Sequence, residues 1–239
     1  MENRLLACLA EPELGLLAPH LKQVPLARGA ILHRPDAQVE WVYFPMGGAV
    51  SLLAVMKGGQ EVEIASVGRE GAIMLSAHMG PWQAHAKSIV QVEGFAKAIP
   101  AAQLRIAMVQ SEHINEVLIR YMEVLSAQSQ QITACNALHS VEQRLARWLL
   151  QLSDRIGSLE IPATQDTMSQ MLGVRRTTVT LVAQQFQEDN LIIYRRGRIM
   201  ITNPAALYAL ACECYEACKE AEQFIERPDV ETMLPHGAT

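Results

Sequence analysis

Between Leu21 and Pro100 the chain is interrupted every few residues by Gly or Pro, and then from Ala101 to Ile156 there is neither. That uninterrupted stretch, before Gly157 and Pro162 resume the breaks, constrains the fold more than any other feature, because Gly and Pro punctuate regular structure and no single kind of element suits both regions. Between the breaks lie apolar runs of strand length: Trp41-Val42-Tyr43-Phe44, Ala49 to Val55, and Glu61-Val62-Glu63-Ile64-Ala65. Ser88-Ile89-Val90-Gln91-Val92 alternates as a half-buried strand should, and Lys57-Gly58-Gly59-Gln60 separates two runs as a hairpin turn would. The spacing predicts a compact antiparallel barrel or sandwich.

The pattern then becomes helical. Ile114, Leu118, Tyr121, Leu125, Gln128, Ile132 and Cys135 step by 4, 3, 4, 3, 4 and 3 residues, with no Gly or Pro among them. A stripe this narrow predicts a coiled-coil dimer helix over 111–138, in which polar Gln128 helps fix register. The plainer alternative is one amphipathic helix packed on its own domain. A break near His139 and Ser140 separates it from a helix running from about Val141 to Ser153.

The chain of 239 residues is 50% hydrophobic and 19% charged, which excludes a disordered polymer. No apolar run reaches 18 residues and the Met1–Ala10 segment lacks the features of a secretory signal, so a cytoplasmic protein without membrane contact is expected. Five cysteines, three of them at Cys212, Cys214 and Cys218, make no disulfide framework. The net charge of −5 is unevenly spread. Residues 141–203 hold 8 basic groups, all Arg, against 6 acidic ones, whereas residues 204–239 hold 2 basic and 7 acidic. A basic block inside an acidic chain suits a local polyanion contact.

That block contains the informative stretch, Thr164 to Val182. Thr164 is a good N-cap with Asp166 in the first turn, and Met168, Met171 and Leu172 form one apolar face. Gly173 gives the backbone freedom of a tight turn, Ser169 allows two helices to cross closely, and Val179 and Val182 plug the angle between them. This is the mechanical requirement of a helix-turn-helix. With Val179, Val182 and Phe186 facing inward, Arg175, Arg176, Thr177, Thr180, Leu181 and Gln184 share the outward side. Arg176 can pair with a guanine edge, Thr177 and Thr180 with base edges or phosphates, and Leu181 with a thymine methyl. Two apolar runs then flank Arg195-Arg196-Gly197-Arg198, as a wing whose arginines reach phosphates. The candidate DNA contacts are these residues together with Thr164, Gln165 and Thr178.

The Glu142-Gln143-Arg144-Leu145-Ala146 helix, the helix-turn-helix and the Asn190-Leu191-Ile192 entry to the wing resemble the Crp/Fnr family of bacterial transcription regulators. The order of parts matches too. The resemblance implies an α+β chain: an antiparallel β-roll (a jelly-roll-like double-stranded β-helix) over 1–110, a dimerisation helix over 111–138, a winged helix-turn-helix over 139–226, and a tail over 227–239. It implies a homodimer on two-fold symmetric double-stranded DNA, with RNA polymerase a candidate partner, and a dimer interface at Ile114, Leu118, Tyr121, Leu125, Gln128 and Ile132. Departures are informative. Where members often read Ser-Arg-Glu-Thr-Val-Ser-Arg, this chain reads Arg175-Arg176-Thr177-Thr178-Val179-Thr180-Leu181, so its half-site should differ. Arg175 in place of Ser loses a helix cap and adds a phosphate contact.

The cyclic-nucleotide pattern of the family is also lost. Gly68 to Leu75 and His85-Ala86-Lys87 stand where members carry Phe-Gly-Glu-Leu-Ala and Arg-Ser-Ala. The candidate pocket for an unidentified small ligand is therefore Arg69, Glu70, Met74, His85 and Lys87. Only Cys8 is available near the N-terminus for the family's iron–sulfur cluster, so that cofactor is not expected. Cys212, Cys214 and Cys218 fall in a helix-favouring stretch from Ala205 to Arg227. On one straight helix Cys212 turns roughly 160° away from Cys214, so core packing is expected there, with a redox or metal role the alternative. His33, His78 and His85 with Glu63 or Glu70 offer a weaker metal alternative. No catalytic motif is present. Two other functional classes stay open: a small-molecule sensor acting through a protein partner, and a cupin-like metalloprotein with a DNA-binding tail.

Overall fold

The computed structural model describes residues 2–74 and 83–226. Leu75 and His78 of the expected pocket region, and the expected tail, lie outside the described residues. The chain opens with α1 (Arg4–Ala7) and α2 (Glu11–Leu17). Asn3 caps α1 by accepting from Leu6 N, and its buried amide donates to Pro45 O (2.9 Å) and Gly71 O (2.8 Å), pinning the N-terminus to the β domain.

Seven strands follow: β1 (Lys22–Leu26), β2 (Ile31–His33), β3 (Trp41–Pro45), β4 (Ala49–Val55), β5 (Glu61–Val67), β6 (Lys87–Val92) and β7 (Gly94–Pro100). All pair antiparallel, in sheets ordered β1-β7-β3 and β2-β6-β4-β5, and every strand expected from the sequence is among them. The expected 57–60 turn closes the β4–β5 hairpin, where Gly59 takes φ +81° and donates to Met56 O. Strand β4 is buried on both faces. Val50 and Leu52 enter the core of the roll, while Ala49 and Leu53 enter a second core built by the C-terminal domain.

Next come α3 (Ala101–Gln110) and α4 (Glu112–Leu138), the latter capped by Ser111. The heptad stripe of α4 corrects the expected dimer seam. Ile114, Leu118 and Tyr121 are buried in the core of the same chain and Leu125 packs against it. Gln128 is buried too, its side-chain oxygen accepting from Ser66 N of β5 (3.1 Å), and Ile132 is 2% exposed. The stripe is covered by its own subunit, by β5, by α1 and α3, and by a C-terminal helix (Cys214–Glu222). Its polar member serves a backbone group rather than a coiled-coil register.

The C-terminal domain comprises α5 (Val141–Ile156), β8 (Glu160–Ile161), α6 (Gln165–Leu172), α7 (Arg176–Glu188), β9 (Ile192–Arg195), β10 (Arg198–Ile201), α8 (Pro204–Leu210) and α9 (Cys214–Glu222). A Ser140–Gln143 capping box starts α5, and left-handed Gly157 ends it. The straight helix expected across the three late cysteines does not form. The chain turns extended at Ala211 (φ −65°, ψ 150°), so Cys212 lies in the connection and Cys214 starts a new helix. The 212–214 segment thereby meets the end of α4.

Gly71 tests how tightly α4 sits on the roll. A Cβ there would stand 1.9 Å from the Tyr121 hydroxyl oxygen. Gly71→Ala should destabilise the chain by about 1–3 kcal/mol, the range of core overpacking, read as a lower urea midpoint. An unchanged midpoint would show that α4 is not packed this way.

Candidate nucleic-acid interface and its anchorage

Thr164 caps α6, its hydroxyl oxygen accepting from Thr167 N (3.1 Å). Gly173 then takes φ +63°, as the turn requires, and Ser169 Oγ donates to Val174 O (2.6 Å) across it. Arg175 occupies the N-cap of α7 without a side-chain cap bond, as its replacement of Ser implies. Val179, Val182 and Phe186 join Met168, Met171 and Leu172 in one buried core.

Their burial leaves the outer side of α7 open. Arg175, Arg176, Thr177, Leu181 and Gln184 are exposed, and Leu181, 67% exposed, has no packing role to explain it. Thr178 and Thr180 are half-buried, with Thr180 Oγ1 donating to Arg176 O (3.0 Å). Thr164 and Gln165 border the same surface and are half-buried. Arg176 donates to Gln165 Oε1 (3.3 Å) and pairs with Asp166 (3.3 Å). Asp166, a first-turn acid of α6, thus also holds Arg176. The pair is mostly exposed, so solvent screens it and its exchange for a base edge is cheap.

The wing is a two-residue hairpin in which Arg195 faces Arg198, and Arg196 (φ +51°) and Gly197 (φ +72°) are both left-handed. That is the twist-matched geometry of a type I′ turn. The three arginines are exposed, and Arg198 pairs with Glu160 of the adjacent strand (3.0 Å).

A buried polar network fixes this domain on the β-roll. Arg155, near the end of α5, donates to Ser66 O (3.1 Å) and Gln151 O (3.2 Å) and pairs with Glu70 (3.3 Å) and Glu222 (3.2 Å). Burial alone would lower the Arg155 pKa, but Glu70, Glu222 and Glu63 outweigh it and raise it. Glu63 is buried in β5, accepting from Ser51 Oγ (2.5 Å). Burial pushes its carboxyl above the usual range, against the Ser51 bond and the Arg147 and Arg155 charges. Burial likewise raises Glu222, with Arg155 opposing. A second contact joins the β5 end to the helix-turn-helix. Gln170 of α6 donates to Glu61, which also pairs with Lys87 (2.9 Å).

Part of the expected ligand pocket coincides with this junction. Arg69 and Glu70 line a cavity of about 160 Å³ with Asp154, Arg155, Lys219 and Glu222, at the junction with α5 and α9. Lys87 is engaged elsewhere, with Glu61, while His85 is exposed and Met74 is buried with φ +67°. The five residues are thus divided among separate environments. Glu70 docks the roll on Arg155 of α5, whereas Lys87 pairs within the roll. Among the described residues of the alternative metal set, His33 bonds Trp41 O (3.1 Å) with its pKa lowered by burial, and Glu70 pairs with Arg155.

Residues 143–210 match the Crp-like helix-turn-helix domain. The chain is 25% identical over 218 residues to the global nitrogen regulator of Synechococcus elongatus, covering 86% of this chain and 96% of the relative. It is also 25% identical to the transcriptional activator protein Anr of Pseudomonas protegens, over 78% of this chain and 79% of that one. A solved Crp/Fnr-family transcriptional regulator from Eubacterium rectale superposes with a TM-score of 0.70 at 20% identity, covering 86% of this chain and 96% of its own. The fold is shared with that structure. Among the described residues, no helix is long and apolar enough to cross a membrane.

Glu63 and Glu222 make the anchorage pH-dependent. With raised values, the folded chain binds more protons than the unfolded chain once pH exceeds the ordinary carboxylate value. Their contribution is complete below that value and is lost as pH rises through their folded values. Glu63→Gln should therefore flatten the fall in melting temperature as pH rises above the ordinary carboxylate value. A steeper fall in the variant would reverse the assigned sign.

Proposed function

We propose that this chain is a transcription regulator of the Crp/Fnr family and not an enzyme, and that it binds two-fold symmetric duplex DNA as a homodimer with α7 in the major groove. The observation that carries this reading is the open outer side of α7. Polar, cationic and apolar side chains suited to base edges stand exposed there, over a helix whose other side is fully packed. Arg176 leads base readout. Thr177, Thr180, Leu181 and Gln184 supplement it, and Arg175, Thr164, Gln165 and Thr178 border the phosphate path. Arg195, Arg196 and Arg198 hold the backbone from the wing.

The dimer contact is assigned to the side of α4 that its own chain leaves uncovered. Ile119, Ser126, Gln130, Thr133 and Ala137 are exposed there at spacings of 7, 4, 3 and 4 residues, the same periodicity as the buried stripe. Two copies related by a two-fold axis place their α7 helices about one DNA turn apart, roughly 34–36 Å.

Selection from a randomised duplex pool should enrich a two-fold motif. Arg176→Ala should cost about 1–3 kcal/mol and relax one base position, whereas Arg196→Ala should weaken all sequences alike and reduce the salt slope by about one. Unaltered affinity and base preference in Arg176→Ala would refute the assigned readout. Sedimentation provides a separate check on the dimer face. Ile119→Glu should shift dimer towards monomer, while Gln128→Ala should lower stability and leave association intact. The opposite pattern would restore the buried stripe as the seam.

A further inference from the structure

The break before α9 gives the late cysteines a role that a straight helix denies them. Cys135 lies in the last turn of α4, His139 caps that helix, and Cys212 and Cys214 sit at the α8–α9 connection. The Cys135 and Cys212 sulfurs are 3.5 Å apart, and Cys214 Sγ is 3.5 Å from His139 Nδ1. Four donor atoms, one from each residue, all lie within 4.8 Å of one another. We propose that Cys135, His139, Cys212 and Cys214 form a Cys3His site for one thiophilic divalent cation of the zinc class.

The spacing selects the occupant. Thiolates at about 2.3 Å and an imidazole nitrogen at about 2.0–2.1 Å from one tetrahedral ion stand roughly 3.5–3.8 Å from each other. An iron–sulfur cluster would hold its ligands farther apart, because several irons and sulfides fill the space between them. Four soft or borderline donors with no open position correspond to a structural rather than a catalytic zinc site.

The surroundings are those of a metal site. His139 presents Nδ1 to the cluster, and its Nε2 lies 3.2 Å from Glu213 Oε1, a carboxylate placed to orient a ligating imidazole. Gln131 Nε2 donates to Cys214 Sγ (3.1 Å), as an amide does to a metal-bound thiolate. Three thiolates and a divalent ion leave one negative charge, and buried Arg144 and Arg147 act electrostatically on Cys135. Simple core packing explains the group less well. The three cysteines form a buried cluster of their own, separate from both large apolar cores.

The position gives the ion a consequence. It would tie the end of α4 to the α8–α9 connection across the 138–141 hinge, the joint that sets the DNA-binding domain on the long helix. Metal loss would free that joint without touching α7. The site stands apart from the DNA-binding reading, and its first test does not use DNA.

The test is titration of the reduced, chelator-treated full chain with Co²⁺, followed by Zn²⁺. The expected result is saturation at one ion per chain, with the intense visible bands of tetrahedral cobalt and thiolate charge transfer, both removed by zinc. Cys8→Ser and Cys218→Ser should titrate like the unaltered chain. Cys212→Ser and His139→Ala should lose the tetrahedral spectrum, and Glu213→Gln should weaken binding by about 10–100-fold. His139→Cys guards against misfolding of the other variants, since it should keep a tetrahedral site with four thiolates. The proposal fails if the unaltered chain takes up no stoichiometric ion or shows only weak octahedral bands. It also fails if Cys218→Ser abolishes binding as fully as Cys212→Ser, or if the isolated chain carries acid-labile sulfide.

Discussion

Arg155 is the contact on which the placement of the DNA-binding domain depends. It is buried, comes from α5, and reaches a backbone oxygen of β5, a carboxylate after β5 and a carboxylate of α9. Buried ion pairs contribute little net stability, because desolvating the charges offsets most of their attraction. They are demanding about geometry, however, since any displacement of α5 leaves charges buried without partners. The network therefore acts as a locator for the domain. The apolar term comes from elsewhere, where Ala49, Leu53 and Val92 of the roll share a core with Leu149, Met168 and Phe186.

That shared core explains why the roll and the helix-turn-helix are closely coupled. Strand β4 is the inner wall of one core and the outer wall of the other, and Glu61 at the start of β5 receives Gln170 of α6. A change in the curvature of β4 and β5 would be felt directly by α6, and through the Gly173 turn by α7. The outer side of α7 and the wing arginines take no part in these contacts. The surface assigned to DNA is thus positioned by the roll without being occupied by it.

What the sequence made legible was what local geometry decides. The Thr164 cap, the left-handed Gly173, the Ser169 spacing and the 196–197 turn each depend on a few consecutive residues, and each formed as expected. The errors arose where distant segments decide. A 3–4 periodicity shows that one side of a helix is buried but not which chain covers it, so Gln128 passed for a register device until Ser66 supplied its partner. Nothing local announces the break at Ala211, which has neither Gly nor Pro beside it. The pocket residues were chosen by chain position, and position does not reveal that Glu70 faces Arg155 while Lys87 faces Glu61.

These details make α5 the part of the molecule that carries orientation. Its C-terminal end is located by Arg155, whose partners all lie outside the helix apart from Gln151. Its N-terminal end begins at a capping box directly after the hinge, beside Cys135 and His139. With only the first constraint, α5 could pivot about Arg155 and carry α6 and α7 with it. A metal bound at the proposed hinge site would remove that freedom, because a rod fixed at two separated points keeps only rotation about its own axis. Burial of Leu145, Ala146, Leu149 and Leu152 along α5 resists that last rotation. The position of α5, and with it of α6 and α7, is therefore set by the Arg155 contacts at one end, and the apolar core along the helix makes it stiff.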